Sequence, residues 1–465
     1  MAHCLKVLAT PLRSSLQPRN GRLSIAASQF LRHSRGIGLR SSSRLGSTRT
    51  KNHRIEYNWI KGVETLEEYQ PGGYHPITIG DLLHDRYRIV DKLGSGGYST
   101  VWLARDLNLH QYVALKINIS DSRPRETQIL KALSDPASSP AHPGRSLVPV
   151  LLDEFTVQGP NGEHTCYTVT PAQCNLGEIS FSRLFSLDVA RALSYGVALA
   201  VAYTHSQGYI HGDIHLSNVL VKLPSNFDNL SIEELYMKFG NPETIPISRC
   251  DGEPLPPNVP AKAVVPLFLG KYAEKFTLSG AHPLLSDFGE AFSPTTEPRL
   301  GQDCHTPPAF RAPEAKFEPQ APLAFPSDIW SLATSIWNII GMKAIFSTDF
   351  VPDDVIVAQH IDVLGPMPSE WWHSWKERSQ FFDETGCPTE SYMENQWPSL
   401  KESFETGVQK WRRKVGGEIS ANEKAAFLDL MRHMLSFRPE ERPTAEEVLQ
   451  SEWMVKWALP DYERR

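Results

Sequence analysis

The sequence predicts an α+β chain in two lobes: a small, antiparallel, β-rich lobe with one helix, then a larger and mainly helical lobe. Three observations lead there. Alternating apolar runs at Tyr87–Leu93, Thr100–Arg105 and Tyr112–Ile117 follow one another across short turns, the period-two pattern of half-buried strands in a meander. A single run at helical spacing follows them, with Glu126, Ile129, Leu130 and Leu133. Beyond residue 172 the apolar period lengthens, and Val189, Leu193, Val197 and Val201 stripe a long helix.

Each element has a local reason. Gly94-Ser95-Gly96-Gly97 turns the first strand into the second, because glycine accepts backbone conformations that close a tight turn. Pro124 sits where the small-lobe helix would start, its missing N–H costing nothing in a first helical turn. Two further strands, Leu147–Phe155 and His164–Thr170, are expected across the turn Gly159-Pro160-Asn161-Gly162. The long helix spans Leu187–His205 and Gly208 stops it. Helices return at Ser327–Ile340, Ala421–Leu435 and Ala445–Leu449. The organisation that follows is a leader over 1–55, an extension over 56–85, a small lobe over 86–172 and a large lobe over 173–458. The large lobe has inserts at about 223–283, rich in Pro, Asn and Glu, and at about 343–420. The first is expected to lie on the body of the molecule and not to form a domain of its own.

Composition narrows the class. With 40% hydrophobic and 22% charged residues among 465, the chain has an ordinary globular make-up, and no apolar run reaches the length that spans a bilayer. The six cysteines are scattered without a C-x-x-C pair, which argues against a zinc site or disulfide framework. Residues 1–55 contain eleven Lys and Arg and no acid, so residues 56–465 carry a net −17 out of a total of −6. The body is therefore suited to a basic partner and not to direct nucleic-acid binding. The Arg- and Ser-rich leader reads as a mitochondrial transit segment, with a basic disordered tail or a nuclear-import patch as alternatives.

The chemistry is concentrated in His211-Gly212-Asp213-Ile214-His215-Leu216-Ser217-Asn218, which sets a carboxylate and a carboxamide five residues apart between a helix and a strand. Upstream lie the glycine turn, running on through Tyr98-Ser99-Thr100-Val101, and Val113-Ala114-Leu115-Lys116, with Glu126 ten residues beyond that lysine. Downstream come Asp287-Phe288-Gly289, Ala312-Pro313-Glu314, Ser327-Asp328-Ile329-Trp330 and Arg438-Pro439-Glu440-Glu441-Arg442-Pro443. Any one of these has a bland reading: a hairpin turn, an edge-strand lysine, a chance spacing. Seven in order, each in a fitting strand or helix context, do not. Over residues 86–455 the chain resembles a protein kinase.

The resemblance implies ATP between the lobes, under Gly94, Gly96, Gly97 and Val101, with Ala114 beside the adenine and the Thr168–Pro171 segment as linker. Lys116 paired with Glu126 would clamp phosphates, Asp213 would serve the attacking hydroxyl, and Asn218 and Asp287 would hold Mg2+. Asp328 would bond the catalytic-loop backbone, and Arg442 would pair with Glu314. Glu67-Glu68-Tyr69, Gly72-Gly73-Tyr74-His75-Pro76, Ile79-Gly80-Asp81-Leu82 and Ser99–Ala104 are similar to the SR-protein kinases, in particular the fungal SRPK-like group. That family phosphorylates Ser in Arg/Ser-rich proteins in cytoplasm and nucleus, so such a basic substrate and those compartments are implied. A monomer is expected.

Two residues depart from the family. His215 stands where a Lys neutralises the γ-phosphate, and a His does so only when protonated. Gly212 replaces the Arg that gathers a phosphorylated activation loop, so activity should not need phosphorylation at Thr295 or Thr296. Thr306 sits where kinases orient the catalytic Asp. Two other functions remain open on sequence: a pseudokinase scaffold, motivated by His215, and a small-molecule phosphotransferase, since H-G-D-x-H-x-x-N also resembles aminoglycoside and choline kinases. The Trp371-Trp372-Trp375 cluster at helical spacing reads as packing more readily than as a docking site, and His205 reads as structural.

Overall fold

A computed structural model describes residues 55–122, 125–135, 142–348 and 351–465. The leader up to Arg54, and Pro124, lie outside them. The small lobe is one antiparallel sheet: β1 (Leu82–Leu83), β2 (Tyr87–Gly96), β3 (Ser99–Asp106), β4 (Gln111–Asn118), then β6 (Gly162–Val169) and β5 (Leu151–Gly159) at the far edge. Helix α1 (Arg125–Ser134) presents Ile129, Leu130 and Leu133 to the interior. Expected strand Leu147–Phe155 is displaced, with a short helix at Pro143–Leu147 and the strand beginning only at Leu151. Pro149 cannot donate to a ladder, which delays the pairing past it. Gly159 and Gly162 face each other across the turn as expected.

The chain then crosses to the large lobe, where β7 (Ala172–Asn175), β8 (Val219–Lys222) and β11 (Pro283–Leu285) make a small antiparallel sheet. Helix α2 (Leu176–Ser180) leads into α3 (Leu187–Ser206), the axis of the core, whose Val189, Leu193, Val197 and Val201 are fully buried. Gly208, at φ +80°, ends the run. The insert supplies α4 (Ile232–Phe239) and the hairpin of β9 (Thr244–Pro246) with β10 (Lys262–Val264). Short helix α5 (Glu314–Phe317) precedes α6 (Phe325–Ile340), which packs on α3, and α7 (Asp353–Leu364) follows. Trp371 and Trp375 are buried beside Phe381, Phe382 and Tyr392, so the tryptophan cluster is packing. Among the described residues no helix is long and apolar enough to cross a membrane.

The insert lies on the small lobe as well as on the body. Phe227, Leu235, Leu267 and Leu269 pack against Val90, Leu103 and Tyr112 of the sheet. Ile247, Val259, Ala263 and Val265 close a second cluster with Tyr57, Val63, Leu66, Tyr69 and Tyr74 of the extension. Sequence periodicity does not reveal this placement, because the partners lie far apart in the chain.

Candidate active site

The sheet aligns the first group of polar side chains. Pairing of β3 with β4 sets Val101 opposite Lys116, and pairing of β4 with β6 sets Ala114 opposite Val169 and Lys116 opposite Tyr167. Lys116 therefore emerges on the face that α1 covers. Its Nζ lies 2.7 Å from Glu126 Oε2 and 3.1 Å from Asp287 Oδ1. Burial alone would push the ammonium toward neutrality, but the Asp287 and Glu126 carboxylates outweigh it and hold its pKa well above the ordinary lysine value. In return the Lys116 charge holds the Asp287 carboxyl below its usual range, against the opposing effect of burial.

Gly94 pairs with Val101, and Gly96 with Ser99, across the turn. A Cβ built on Gly94, Gly96 or Gly97 would meet nothing within 4 Å. These glycines are not required by crowding inside the protein. Their bare backbone faces open space that a phosphate chain can enter closely.

The second group comes from the loop after α3. Asn218 Nδ2 donates to Asp213 O and Oδ2, both at 2.9 Å, and lies 3.3 Å from His215 Nε2. His215 Nε2 is 3.4 Å from Asp213 Oδ2. The amide nitrogen of Asn218 is thus occupied, leaving its oxygen for a cation. Asp213 Oδ1 is buried and has no hydrogen-bond partner among the described residues. The two loops are laced together, since Ser286 N–H donates to Asn218 O at 2.8 Å and His211 Nε2 is 3.1 Å from Ser286 O. Asp287 follows at φ +62°, a left-handed conformation that Asp tolerates better than most residues.

The supporting residues do what their positions suggested. Asp328, buried on α6, accepts from His211 N at 2.7 Å and Gly212 N at 2.9 Å, with His205 Nε2 at 2.9 Å on the same carboxylate. Thr306 Oγ1 donates to Gly212 O at 2.6 Å. Arg442 grips Glu314 through both terminal nitrogens at 2.8 and 2.7 Å. Gly212 itself is at φ +76°, and a Cβ there would come within 2.9 Å of Glu290 O. The segment after Asp287 is held by protein charges. Glu290 Oε2 takes Arg299 Nη1 and His305 Nδ1, Glu297 reaches Arg125 of α1 at 3.2 Å, and Ile210 and Phe292 exchange backbone hydrogen bonds.

The donor set fits a nucleotide with a hard divalent cation. One carboxylate and one amide oxygen supply few protein ligands, as such ions accept when phosphates and water complete the shell. The sequence motifs pointed to Lys116, Glu126, Asp213, Asn218, Asp287 and Asp328, but not to Glu290, Glu297, Arg299 and His305, nor to the contacts that the extension and insert make to β2. The sequence signals for those contacts are scattered tyrosines and the apolar stretch 263–269 of the insert.

Comparison with known proteins agrees with this geometry. A family model described as the protein kinase domain matches residues 277–454. A serine/threonine protein kinase of Aspergillus fumigatus is 28% identical over 406 residues, covering 84% of this chain and 90% of that protein. The serine/threonine-protein kinase SRPK of Physarum polycephalum is 28% identical over 414 residues, covering 84% and 91%. Human SRSF protein kinase 3 is 34% identical over a shorter stretch of 167 residues, 34% of this chain and 29% of the relative.

Proposed function

We propose that the chain is an SRPK-like serine/threonine protein kinase that uses ATP with Mg2+ and phosphorylates Ser in Arg/Ser-rich basic proteins. The observation that carries the catalytic reading is the Lys116 ammonium held between Glu126 and Asp287, because it ties α1, the glycine-roofed sheet and the metal-side carboxylate into one geometry. Bound with the nucleotide, Mg2+ would neutralise phosphate charge.

The chain's own residues would do the rest. Lys116 orients the α- and β-phosphates, Gly94, Gly96, Gly97 and Val101 roof the nucleotide with Ala114 beneath, and Asn218 and Asp287 hold the metal. Asp213 positions the substrate hydroxyl and accepts its proton. His215, against Asp213 and Asn218, stands where the SR-protein kinases carry the Lys beside the reacting phosphate. The −17 charge of residues 56–465 favours an arginine-rich substrate by steering. Resemblance to the SR-protein kinases supports action in cytoplasm and nucleus. The acid-free leader supports mitochondrial import instead, and a fluorescent fusion of the full chain distinguishes the two.

The decisive experiment is phosphate transfer from Mg-ATP by the full chain to an Arg/Ser-repeat peptide and to a neutral Ser peptide, with Asp213→Asn and Asp287→Ala alongside. Preferential transfer to the Arg/Ser peptide, lost in both variants, is expected. Equal transfer to both peptides would remove the substrate proposal, and activity surviving Asp213→Asn would remove the assigned roles.

A further inference from the structure

The strand that enters the glycine turn is irregular in a way the catalytic roles do not explain. Against β3, β2 carries two bulges: Val90 is extra between the pairs Ile89–Ala104 and Asp91–Leu103, and Leu93 is extra between Lys92–Trp102 and Gly94–Val101. A bulge interrupts the ladder and leaves backbone groups unpaired there. In this chain residues from outside the small lobe supply partners at both bulges. The Tyr236 hydroxyl of α4 donates to Val90 O at 2.9 Å. The Leu267 N–H of the insert donates to Lys92 O at 2.7 Å.

The extension adds two more anchors on the same arm. Lys92, fully buried, is paired with Glu64, whose other oxygen accepts from the Tyr69 hydroxyl at 2.5 Å. The Tyr74 hydroxyl, on a residue only 3% exposed, donates to Gly96 O at 2.7 Å, inside the glycine turn itself. Val90, Lys92 and Gly96 are thus gripped in succession by insert, insert with extension, and extension. On the β3 side the turn is held by the sheet itself, through Ile119 N–H to Tyr98 O at 2.9 Å and the pairing of Ser99–Val101 with β4; on the bulged β2 side these outside contacts add to the interrupted ladder.

We infer that the extension and the insert form a brace that fixes the β2–β3 glycine turn over the nucleotide, with Tyr74 and Tyr236 as positioning residues for ATP. The inference rests on the proposed placement of ATP beneath Gly94–Val101. A turn already held in its binding form loses little freedom when ligand arrives, which favours affinity without any new contact to the ligand. Removing one hydroxyl frees the carbonyl it holds and returns that freedom to the turn. The loss should therefore appear in ATP binding and leave the peptide side of the reaction alone.

The test uses the full chain and ATP with Mg2+, by calorimetry for affinity and by steady-state assay for both KM values. Tyr74→Phe and Tyr236→Phe are expected to weaken ATP binding roughly three- to ten-fold, the range one net hydrogen bond supplies, with peptide KM unchanged. Tyr112→Phe is the control. Its hydroxyl also bonds the insert, at Leu230 O, but from β4 and away from the turn. It should leave ATP affinity as it is. Hydrogen exchange at amides 93–101 should quicken in Tyr74→Phe and not in Tyr112→Phe. Equal loss in all three variants would mean general loosening of the insert and would overturn the brace. Unchanged affinity in both Tyr74→Phe and Tyr236→Phe would overturn it while leaving the kinase reading intact. Failure of the unmodified chain to bind ATP would overturn both.

Discussion

At the scale of single residues, Gly212 shows how one backbone angle substitutes for a regulatory side chain. Its φ of +76° and the Glu290 carbonyl near its would-be Cβ leave no room for the arginine that many kinases carry there. Gly212→Arg should therefore destabilise the chain by ~1–2 kcal/mol from backbone strain alone, plus the cost of moving Glu290. Thermal unfolding checks this, and a Tm equal to that of the unmodified protein would contradict it. The residues that the structure brings together, Lys116 with Glu126 and Asp287 and Asp213 with Asn218, were legible because the motifs place them at fixed offsets in the chain. The gathering of His215 Nε2 and Asn218 Nδ2 on Asp213 Oδ2 was not legible, since it depends on how the loop folds back between Asp213 and Asn218.

At the scale of elements, the segment from Asp287 to Glu314 is ordered by charges already present in the protein. Glu290 engages Arg299 and His305, and Arg125 of α1 reaches Glu297. Thr295→Ala and Thr296→Ala should each leave transfer activity essentially unchanged, because these charges already hold the segment. Tenfold loss in either would show that phosphate is needed after all. Helix α7 carries a different device. His360, buried between Trp330 and Phe346, has no hydrogen-bond partner on either ring nitrogen among the described residues. Burial, aided by the Arg442 and Lys316 charges, pushes its pKa down to about 3.

The unfolded chain takes up this proton near pH 6.5 and the folded chain does not. Stability is thus fully present above that pH and falls as pH drops toward 3, by up to about 1.4 kcal/mol per pH unit. His360→Phe should flatten this acid slope by one proton, as read by urea unfolding at pH 5 and 7. An unchanged slope would mean that other groups set it. Element types were largely readable, as the buried stripe of α3 shows. The start of β5 was not, because the apolar run Leu147–Leu152 looks continuous and only Pro149 hints that pairing waits until Leu151.

At the scale of the whole molecule, the two-lobed arrangement followed from the order of strand and helix patterns, whereas the reach of the insert across the small lobe did not. Cluster partners such as Tyr57 and Ile247, or Tyr74 and Val265, meet only in three dimensions. That reach has a consequence for how the protein is made. Synthesis is vectorial, and the cover for Tyr57, Leu66, Tyr69 and Tyr74 comes off the ribosome only when residues 245–265 do, long after β2 and β3 are complete. At roughly 5–20 residues per second, the interval from residue 118 to residue 265 lasts about 7–30 s. During it the extension's aromatic face is uncovered and available to chaperones. Nascent chains halted before residue 245 should be cleaved by protease within 56–85, and chains halted well past 283 should resist. Equal resistance in both would mean that the small lobe closes without its late-arriving half.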